Sequence, residues 1–318
     1  MKAGNVVAKL SLLGAACLGV FAAAAPVAVE RGGSNFNFYK FDYAKERCGR
    51  DDFTILQNYH EDKPAVDAIL RQMYAKGQRR LRLGMYFRHP PAQTLELANL
   101  GEVLKTIKEI GFEQVIVSLG IGYGNPANWT EWHEDLYRQS WDILQRVRAT
   151  VVASGVNYLF DLGNEGIPAA NQKMLLQFAK RKWADYAKSY GTADTLGFSI
   201  ITDIRQDRFA QIPAVYAGRP PAVFDLHIYG DGNPSAKALF LNAHERLSQL
   251  GYGKTPWIIG ETLYDDRKTA QELREAIDAT HQRVLFLLQW QLSRGAPKPC
   301  DGTDVVPVDF GAYISSGF

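Results

Sequence analysis

The sequence has 318 residues, of which 46% are hydrophobic and 22% are charged, and its formal net charge is +2. This length suits one large domain or two small ones, and the composition is ordinary for a globular protein. The small net charge, without a basic stripe in the sequence, gives no electrostatic basis for binding nucleic acid.

The chain begins with a segment that is typical of a signal peptide. Lys2 and Lys9 precede an apolar run over residues 10–25, which ends in alanines before Pro26. A charged region, a hydrophobic region and a small-residue cleavage site mark a secretory leader. The run is also shorter than the ~20 residues that span a membrane. We therefore predict a signal peptide over residues 1–25.

The remaining residues 26–318 are predicted to form one mature domain that is periplasmic or secreted, without stable membrane insertion. An uncleaved N-terminal anchor is one alternative, and a lipid anchor on Cys17 is another. A lipoprotein site usually has a large aliphatic residue three positions before the cysteine, whereas this chain has Gly14 there.

After the leader, apolar or β-branched runs alternate with segments of helical periodicity. Eight strands are predicted, over residues 35–39, 80–86, 114–119, 156–162, 195–201, 223–228, 256–260 and 284–290. Helices are predicted between them, over residues 65–76, 95–110, 132–154, 173–189, 235–250 and 269–280, with a weak or short one near 208–216. This alternation predicts a (β/α)8 TIM barrel. A doubly wound open sheet is the alternative, but no Gly-rich turn follows the first strand.

Two of the predicted strands end on a glutamate. The fourth runs into Asn164-Glu165, and the seventh runs into Gly260-Glu261. TIM barrels carry their chemistry at the C-terminal ends of the strands, so both carboxylates are expected on one face. Glycoside hydrolysis needs such a pair. The structural alternatives are a helix-capping role for Glu165 and an ion pair of Glu261 with Arg82.

With these residues, the chain resembles the retaining (β/α)8-barrel glycoside hydrolases, a clan that includes many cellulases, mannanases, galactanases and β-1,3-glucanases. The clan carries Asn-Glu after the fourth strand and Glu after the seventh, where this chain has Asn164-Glu165 and Glu261. The resemblance implies that Glu165 is the acid/base and Glu261 the nucleophile. It also implies substrate-site roles for Arg82, His227, Tyr229 and Trp290. The Gly-Asn-Glu and Gly-Glu-Thr sequences are closer to the galactanase and β-1,3-glucanase branches.

The chemistry of these residue types agrees with that resemblance. A retaining enzyme holds its two carboxyl groups about 5–5.5 Å apart. The Arg82 guanidinium favours an ionised nucleophile, whereas the acid Glu165 is expected to have a raised pKa. Asn164 can donate to a sugar hydroxyl, and Tyr229 to the nucleophile. Tyr123, after the third strand, can stack on a sugar.

Other chemistries lack their sequence signals. The six histidines are scattered, and the sequence has no H-E-x-x-H, G-x-S-x-G or P-loop motif. We therefore predict no metal and no cofactor, and a polysaccharide or oligosaccharide as the substrate. The alternative function is a non-catalytic carbohydrate-binding barrel in an exopolysaccharide assembly or export system. Two residues also have structural alternatives: His227 can be an ordinary core histidine, and Trp290 can serve only to pack the barrel.

The mature chain contains two cysteines, Cys48 after the first strand and Cys300 after the eighth. These strands are neighbours in a closed barrel, and both loops leave its C-terminal face. In an oxidising compartment this arrangement predicts a disulfide between them. Two buried free thiols are the alternative.

Overall fold

Eight barrel strands form a closed ring in the computed structural model, which describes residues 27–40, 53–230, 232–290 and 308–318. The first strand pairs in parallel with both the second and the eighth. The fifth strand is in two pieces, of which Thr195–Gly197 pairs with the fourth strand and Ile200–Ile201 with the sixth. The sheet therefore closes on itself, and the predicted (β/α)8 barrel is confirmed. The other strands are Gly33–Asn35, Arg80–Met85, Gln114–Leu119, Tyr158–Asp161, Phe224–His227, Trp257–Glu261 and Val284–Gln289.

The first barrel strand lies earlier in the chain than the sequence predicts. Its predicted range is 35–39, whereas Gly33–Asn35 joins the ring and Phe38–Lys40 pairs antiparallel with Phe53–Thr54. A Cβ on Gly33 would lie 2.0 Å from the Arg80 carbonyl oxygen, so the second strand approaches too closely for a side chain. A hydrophobicity pattern does not detect a strand of Gly-Ser-Asn, because the strand has no apolar side chain.

Helices follow the strands around the ring. They span Ile55–Ala75, Ala92–Ile110, Glu134–Ser154, Lys173–Tyr190, Ile212–Tyr216, Ala236–Gln249, Arg267–Thr280 and Gly311–Ser315, with 3-10 turns at Pro126–Asn128 and Phe209–Gln211. The helix after the fifth strand is short, as predicted. The first helix starts at Ile55 rather than at residue 65, and it is kinked at Asp62, two residues before Pro64. Proline cannot donate to the preceding turn, which explains the kink.

Two groups of strand side chains inside the barrel differ in character. We call the first the apolar floor; its buried members are Ile116, Leu196, Ile258, Phe286 and Leu288. We call the second the polar layer; its buried members are Arg82, Ser118, Asp161, Asp225 and His227. Residues two apart on a strand share a face, so the third strand points Ile116 and then Ser118 inward. The polar layer thus lies toward the C-terminal strand ends, where TIM barrels place their active sites.

Residues 1–26, 41–52, 231 and 291–307 lie outside the described part of the chain. The predicted signal peptide, the Cys17 anchor and the Cys48–Cys300 disulfide all fall there, so they stay predictions. Among the helices of the described residues, none combines the length and the apolar character needed to cross a membrane.

Candidate active site

The two predicted catalytic glutamates come together at the C-terminal face of the barrel. Glu261 is the last residue of the seventh strand and is buried. Glu165 follows the fourth strand, and its side chain is 33% exposed. One oxygen of the Glu165 carboxylate lies within 4.8 Å of one oxygen of the Glu261 carboxylate, and both oxygens lie within 4.8 Å of a ring nitrogen of His227. Strand ends that are remote in the sequence therefore bring Glu165, His227 and Glu261 close together, and each of these side chains can exchange a proton.

The backbone of Glu165 adopts a conformation that is rare for a residue with a side chain. Its φ is 51°, in the left-handed region. The Glu165 N–H donates to the hydroxyl of Ser199 at 2.7 Å, and Ser199 lies in the gap between the two pieces of the fifth strand. Gly166 completes the turn, because a Cβ there would lie 2.7 Å from the Phe198 ring. Strain of this kind costs about 1–3 kcal/mol and is maintained by the surrounding contacts.

Both carboxylate oxygens of Glu261 accept hydrogen bonds. Arg82 Nη1 donates to Oε1 at 2.5 Å, and the Tyr229 hydroxyl donates to Oε2 at 2.6 Å. The structure therefore brings Arg82 and Tyr229 to the residue that the sequence pairs them with. These two contacts fix the orientation of the carboxylate and direct positive charge at it.

Arg82 is the centre of the polar layer. Its Nη2 donates to Asp161 Oδ2 at 2.8 Å, to Ser118 Oγ at 2.8 Å and to Asn164 Oδ1 at 2.7 Å. Its Nη1 also donates to Asn35 Oδ1 at 3.0 Å. Burial alone would lower the pKa of Arg82, but the nearby carboxylates, Glu261 and Asp161 foremost, raise it overall. The guanidinium is therefore a permanent positive charge in the barrel.

Asp161 forms a buried ion pair with Arg82. It was not among the site residues predicted from the sequence. It is fully buried, and it also accepts from the backbone N–H of Gly163 at 3.1 Å and of Ser199 at 3.0 Å. Burial opposes its charged form, but Arg82 and the hydroxyl of Ser118 lower its pKa overall. An acidic residue inside an apolar strand was the signal that could have identified it.

His227 lies between the carboxylates of Glu165 and Glu261. Its Nδ1 is 3.2 Å from Glu165 Oε1 and 3.4 Å from Glu261 Oε2. The ring is fully buried, which lowers the pKa of His227, but the charge of Glu261 and the hydrogen bond with Glu165 raise it overall. One nitrogen of His227 is therefore placed to exchange a proton with Glu165 beside Glu261, and the functional role of His227 stays a prediction.

Asp225 lies beneath this histidine and is a second carboxylate that sequence reasoning missed. Its Oδ1 is 3.9 Å from His227 Nε2. Among the described residues, neither Asp225 oxygen has a hydrogen-bond partner, and neither has Nε2 of His227. Burial raises the pKa of Asp225 to about 6, although the charges of His227 and Arg82 oppose this. Asp225 is therefore a buried acid that gains a proton in mildly acidic solution.

The pKa of Glu165 moves in the direction opposite to the expected one. Burial raises it, but the hydrogen bond and charge of His227, followed by the charges of Arg208 and Arg82, lower it overall. The expectation of a raised pKa considered the repulsion from Glu261 alone. It was wrong because three cationic groups from other strands and loops also face Glu165.

Described residues line three cavities along this face. The central cavity, a recess of about 20 Å³, is lined by Arg82, Asn164, Glu261, Trp290 and their neighbours. The Glu165 cleft, of about 460 Å³, is lined by Tyr86, Asn164, Glu165, Gln172, Arg208 and their neighbours. The His227 cleft, of about 500 Å³, is lined by Asp203, Arg205, His227, Tyr229 and their neighbours. Because Tyr86 and Asn164 line both of the first two cavities, these form a continuous groove.

Tyr123 is the predicted site residue that the structure places apart from the others. It is 7% exposed, and its ring packs against Phe87 and His89. Its hydroxyl donates to the carbonyl oxygen of Arg88. It supports the wall of the Glu165 cleft through Phe87, and direct sugar stacking by Tyr123 stays a prediction.

Glu165, His227 and Glu261 also have the residue types of a metal site. Both Glu261 oxygens are already engaged by Arg82 and Tyr229. A cation at this point would face the guanidinium charge at close range, which opposes binding. The donor set is therefore better suited to proton transfer and nucleophilic attack than to holding a cation.

No protein-family model matches the sequence, and no curated protein matches it. Among solved structures, a broad-specificity endoglucanase from Clostridium longisporum is 9% identical with a TM-score of 0.53, over 90% of this chain and 94% of that chain. A lichenase from a Caldicellulosiruptor species is 11% identical with a TM-score of 0.52, over 90% and 93% of the two chains.

A homocysteine methyltransferase from Escherichia coli is similar to the same degree. It is 12% identical with a TM-score of 0.53, over 85% of this chain and 91% of that chain. At such identities the likeness shows the (β/α)8 fold alone. Because this fold supports unrelated chemistries, the function has to be argued from the site.

Proposed function

We propose that the protein is a retaining glycoside hydrolase that cleaves a β-linked polysaccharide or oligosaccharide. The observation that carries this proposal is the approach of the Glu165 and Glu261 carboxylates, whose oxygens lie within 4.8 Å of each other. Retaining enzymes need their carboxyl groups only about 5–5.5 Å apart, so that one of them can attack the sugar directly. The endoglucanase and lichenase with the same fold add support from analogy.

In the first step, the Glu261 carboxylate attacks the anomeric carbon and the glycosidic C–O bond breaks. The leaving oxygen takes a proton from Glu165. His227 Nδ1 is within hydrogen-bond distance of Glu165, so the pair holds one proton between them even though the pKa of Glu165 is lowered. The hydrogen bonds from Arg82 and Tyr229 orient the attacking oxygen.

In the second step, water attacks the anomeric carbon and the ester bond breaks, which returns the electron pair to Glu261. The water proton passes to Glu165, which is a carboxylate at this point and acts as the base. Both displacements invert the anomeric carbon, so the overall result is retention of configuration.

The reacting sugar is positioned by the residues around the central cavity. Arg82 donates to Oδ1 of Asn164, so the NH2 group of Asn164 is the part that can donate to a sugar hydroxyl, such as the 2-OH. Trp290 lines the same cavity and offers an apolar surface to the sugar ring.

The experiment that tests the function is a screen for reducing ends released from β-glucans, mannan, galactan and bacterial exopolysaccharides. Proton NMR of the first product, before mutarotation, reports its anomeric configuration. We expect β-configured product. A product of inverted configuration would exclude the double displacement, and binding without any release would favour the non-catalytic carbohydrate-binding barrel.

Variants of the two glutamates separate their roles. Glu261→Gln should lose turnover on every substrate, because no glycosyl ester forms. Glu165→Ala should still be glycosylated by activated aryl glycosides, and azide should then restore the second step. Glu102→Gln, on an exposed helix face, is the matched control and should behave as the wild type. Rescue by azide of the Glu261 variant alone would exchange the two assignments.

A further inference from the structure

Among the described residues that line the Glu165 cleft, Arg208 is the cationic one, and we propose that it binds the carboxylate of a uronic acid unit on the leaving-group side of the scissile bond. This inference rests on the proposed hydrolase function and names its substrate class as an acidic β-linked polysaccharide. It follows from the surroundings of Arg208, from the lining of the cleft and from the position of Glu165.

Arg208 has no acidic contact in the described part of the chain. Its Nη1 donates to the carbonyl oxygen of Ile167 at 2.8 Å and its Nη2 to Gln206 Oε1 at 3.0 Å. Within the described residues, no ion pair within 4.0 Å involves Arg208, whereas Arg205, on the same loop, lies 3.2 Å from Asp203. Each Nη atom carries two hydrogens, so each retains one for a ligand.

The guanidinium of Arg208 is also partly removed from water. Its Nε is buried and has no hydrogen-bond partner among the described residues. Burial lowers the pKa of Arg208, and the charges of Glu165 and Asp203 offset this only in part. A half-buried cation without a contacting anion is poorly solvated, so a carboxylate from the substrate would be bound with a charge-assisted hydrogen bond.

The rest of the cleft has the character of a sugar site. Neutral amides from Asn125, Asn164 and Gln172 line it together with the aromatic rings of Tyr86 and Phe87. Amides match sugar hydroxyls, and aromatic rings match the apolar faces of a pyranose. Among the described lining residues, Glu165 and Arg208 are the charged ones, so Arg208 is the complementary partner that they offer to an anionic group on the sugar.

The positions of the two glutamates determine which sugar enters this cleft. Glu261 lines the central recess, so the sugar that it attacks lies over the mouth of this recess. Glu165 lines the Glu165 cleft and has to reach the leaving oxygen. The leaving unit therefore extends into the cleft that contains Arg208.

A uronate in this cleft would also assist the chemistry. The charge of Arg208 is one of the influences that lower the pKa of Glu165. A bound carboxylate neutralises that charge, so the pKa of Glu165 rises toward the range that an acid catalyst needs. A neutral sugar leaves the charge in place. The preference for uronates should therefore be seen both in binding and in turnover.

The test uses the purified protein and calorimetric titration with D-glucuronate and D-galacturonate, each compared with its methyl ester. For at least one uronate, we expect about tenfold or tighter binding than for its ester, since a hydrogen bond to a charged group contributes at least that much. Arg208→Gln should remove the difference, and Arg208→Lys should keep part of it. Thermal unfolding midpoints show whether each variant is folded.

Arg205→Gln is the matched control, because Arg205 lies on the same loop but lines the His227 cleft. It should keep the uronate preference. Loss of the preference in this variant and not in Arg208→Gln would place the anion in the other cleft and overturn the proposal. Equal affinity of the wild type for acids and esters would also overturn it.

The outcome is independent of the hydrolase test. Uronate binding that depends on Arg208, without any cleavage in the polysaccharide screen, would remove the hydrolase function and keep the anion site. Cleavage of neutral glycans without a uronate preference would do the reverse.

Discussion

The apolar floor and the polar layer both lie inside the barrel and share its third strand, yet their side chains stabilise the fold in different ways. A floor residue such as Ile116 contributes through area removed from water and through close contacts. In the polar layer, Arg82 contacts Glu261, Asp161 and Asn164 at the same time. Removing one member of such a network leaves buried partners uncompensated, which costs more than the pair contributes. Tolerance to substitution in this barrel thus depends on position along the strand.

The largest effect on stability is expected from Arg82→Met, which removes the charge and keeps much of the volume. Glu261 and Asp161 are then buried without a counter-charge, so the free energy of unfolding should fall by about 3–5 kcal/mol. Urea denaturation measures the change. The double variant Arg82→Met/Asp161→Asn should lose less than the single variant. A loss below about 1 kcal/mol, the value of a surface ion pair, would contradict the contrast between the two regions.

Asp225→Asn should stabilise the protein, in a way that depends on pH. The pKa of Asp225 is raised from 3.8 to about 6, so the native state binds this proton more tightly than the unfolded chain does. The resulting stabilisation is fully present below pH 3.8, the pKa in the unfolded chain, and it is lost as the pH rises through 6. The variant should match the wild type near pH 4 and exceed it by about 1–3 kcal/mol at pH 7. Denaturation at both pH values tests this, and an equal difference at both would refute it.

A change in the apolar floor should have a smaller effect that is the same at every pH. Ile116→Val removes one methylene group from a fully buried position and should cost about 0.5–1.5 kcal/mol. Because no titrating group is altered, the loss at pH 4 should equal the loss at pH 7. A loss that varied with pH would mean that the floor and the polar layer are coupled.

The smallest change is expected at Arg208, a loop residue outside the polar layer. Arg208→Gln should raise the pKa of Glu165, because Arg208 is among the groups that lower it. The basic limb of the kcat/KM profile on an oligosaccharide should therefore move to higher pH. Arg205→Gln, which removes a charge from the same loop, should move it less. A shift of this limb to lower pH in Arg208→Gln would show that the charge of Arg208 does not lower the pKa of Glu165.

Several features were predictable because they depend on short stretches of chain. Seven of the eight barrel strands follow from local runs of apolar residues, and their predicted ranges overlap the observed ones closely. The glutamates after the fourth and seventh strands are visible as charges where apolar runs end. The first strand was predicted at residues 35–39 instead of Gly33–Asn35, since glycine contributes backbone pairing without a hydrophobic signal.

Other features required the closed ring. Asp161 and Asp225 stand in strands that the sequence shows, but their partners come from neighbouring strands far away in the chain. His227 was assigned a site role by resemblance. Its position between Glu165 and Glu261 depends on how three strand ends come together in the folded barrel. The direction of the Glu165 pKa is a sum over charges on several strands and loops, and no local pattern contains that sum.

The periodicity of apolar residues was thus sufficient to predict the fold class, and the strand-end residues were sufficient to predict that Glu165 and Glu261 lie on one face. Both predictions depend on patterns in short stretches of the chain. Closure of the barrel decided which groups share a hydrogen bond, which carboxylates are buried, and which arginine lines the same cleft as Glu165. Electrostatic interaction depends on distance and burial rather than on order in the chain. For that reason the charges that control Glu165 became known only from the tertiary structure.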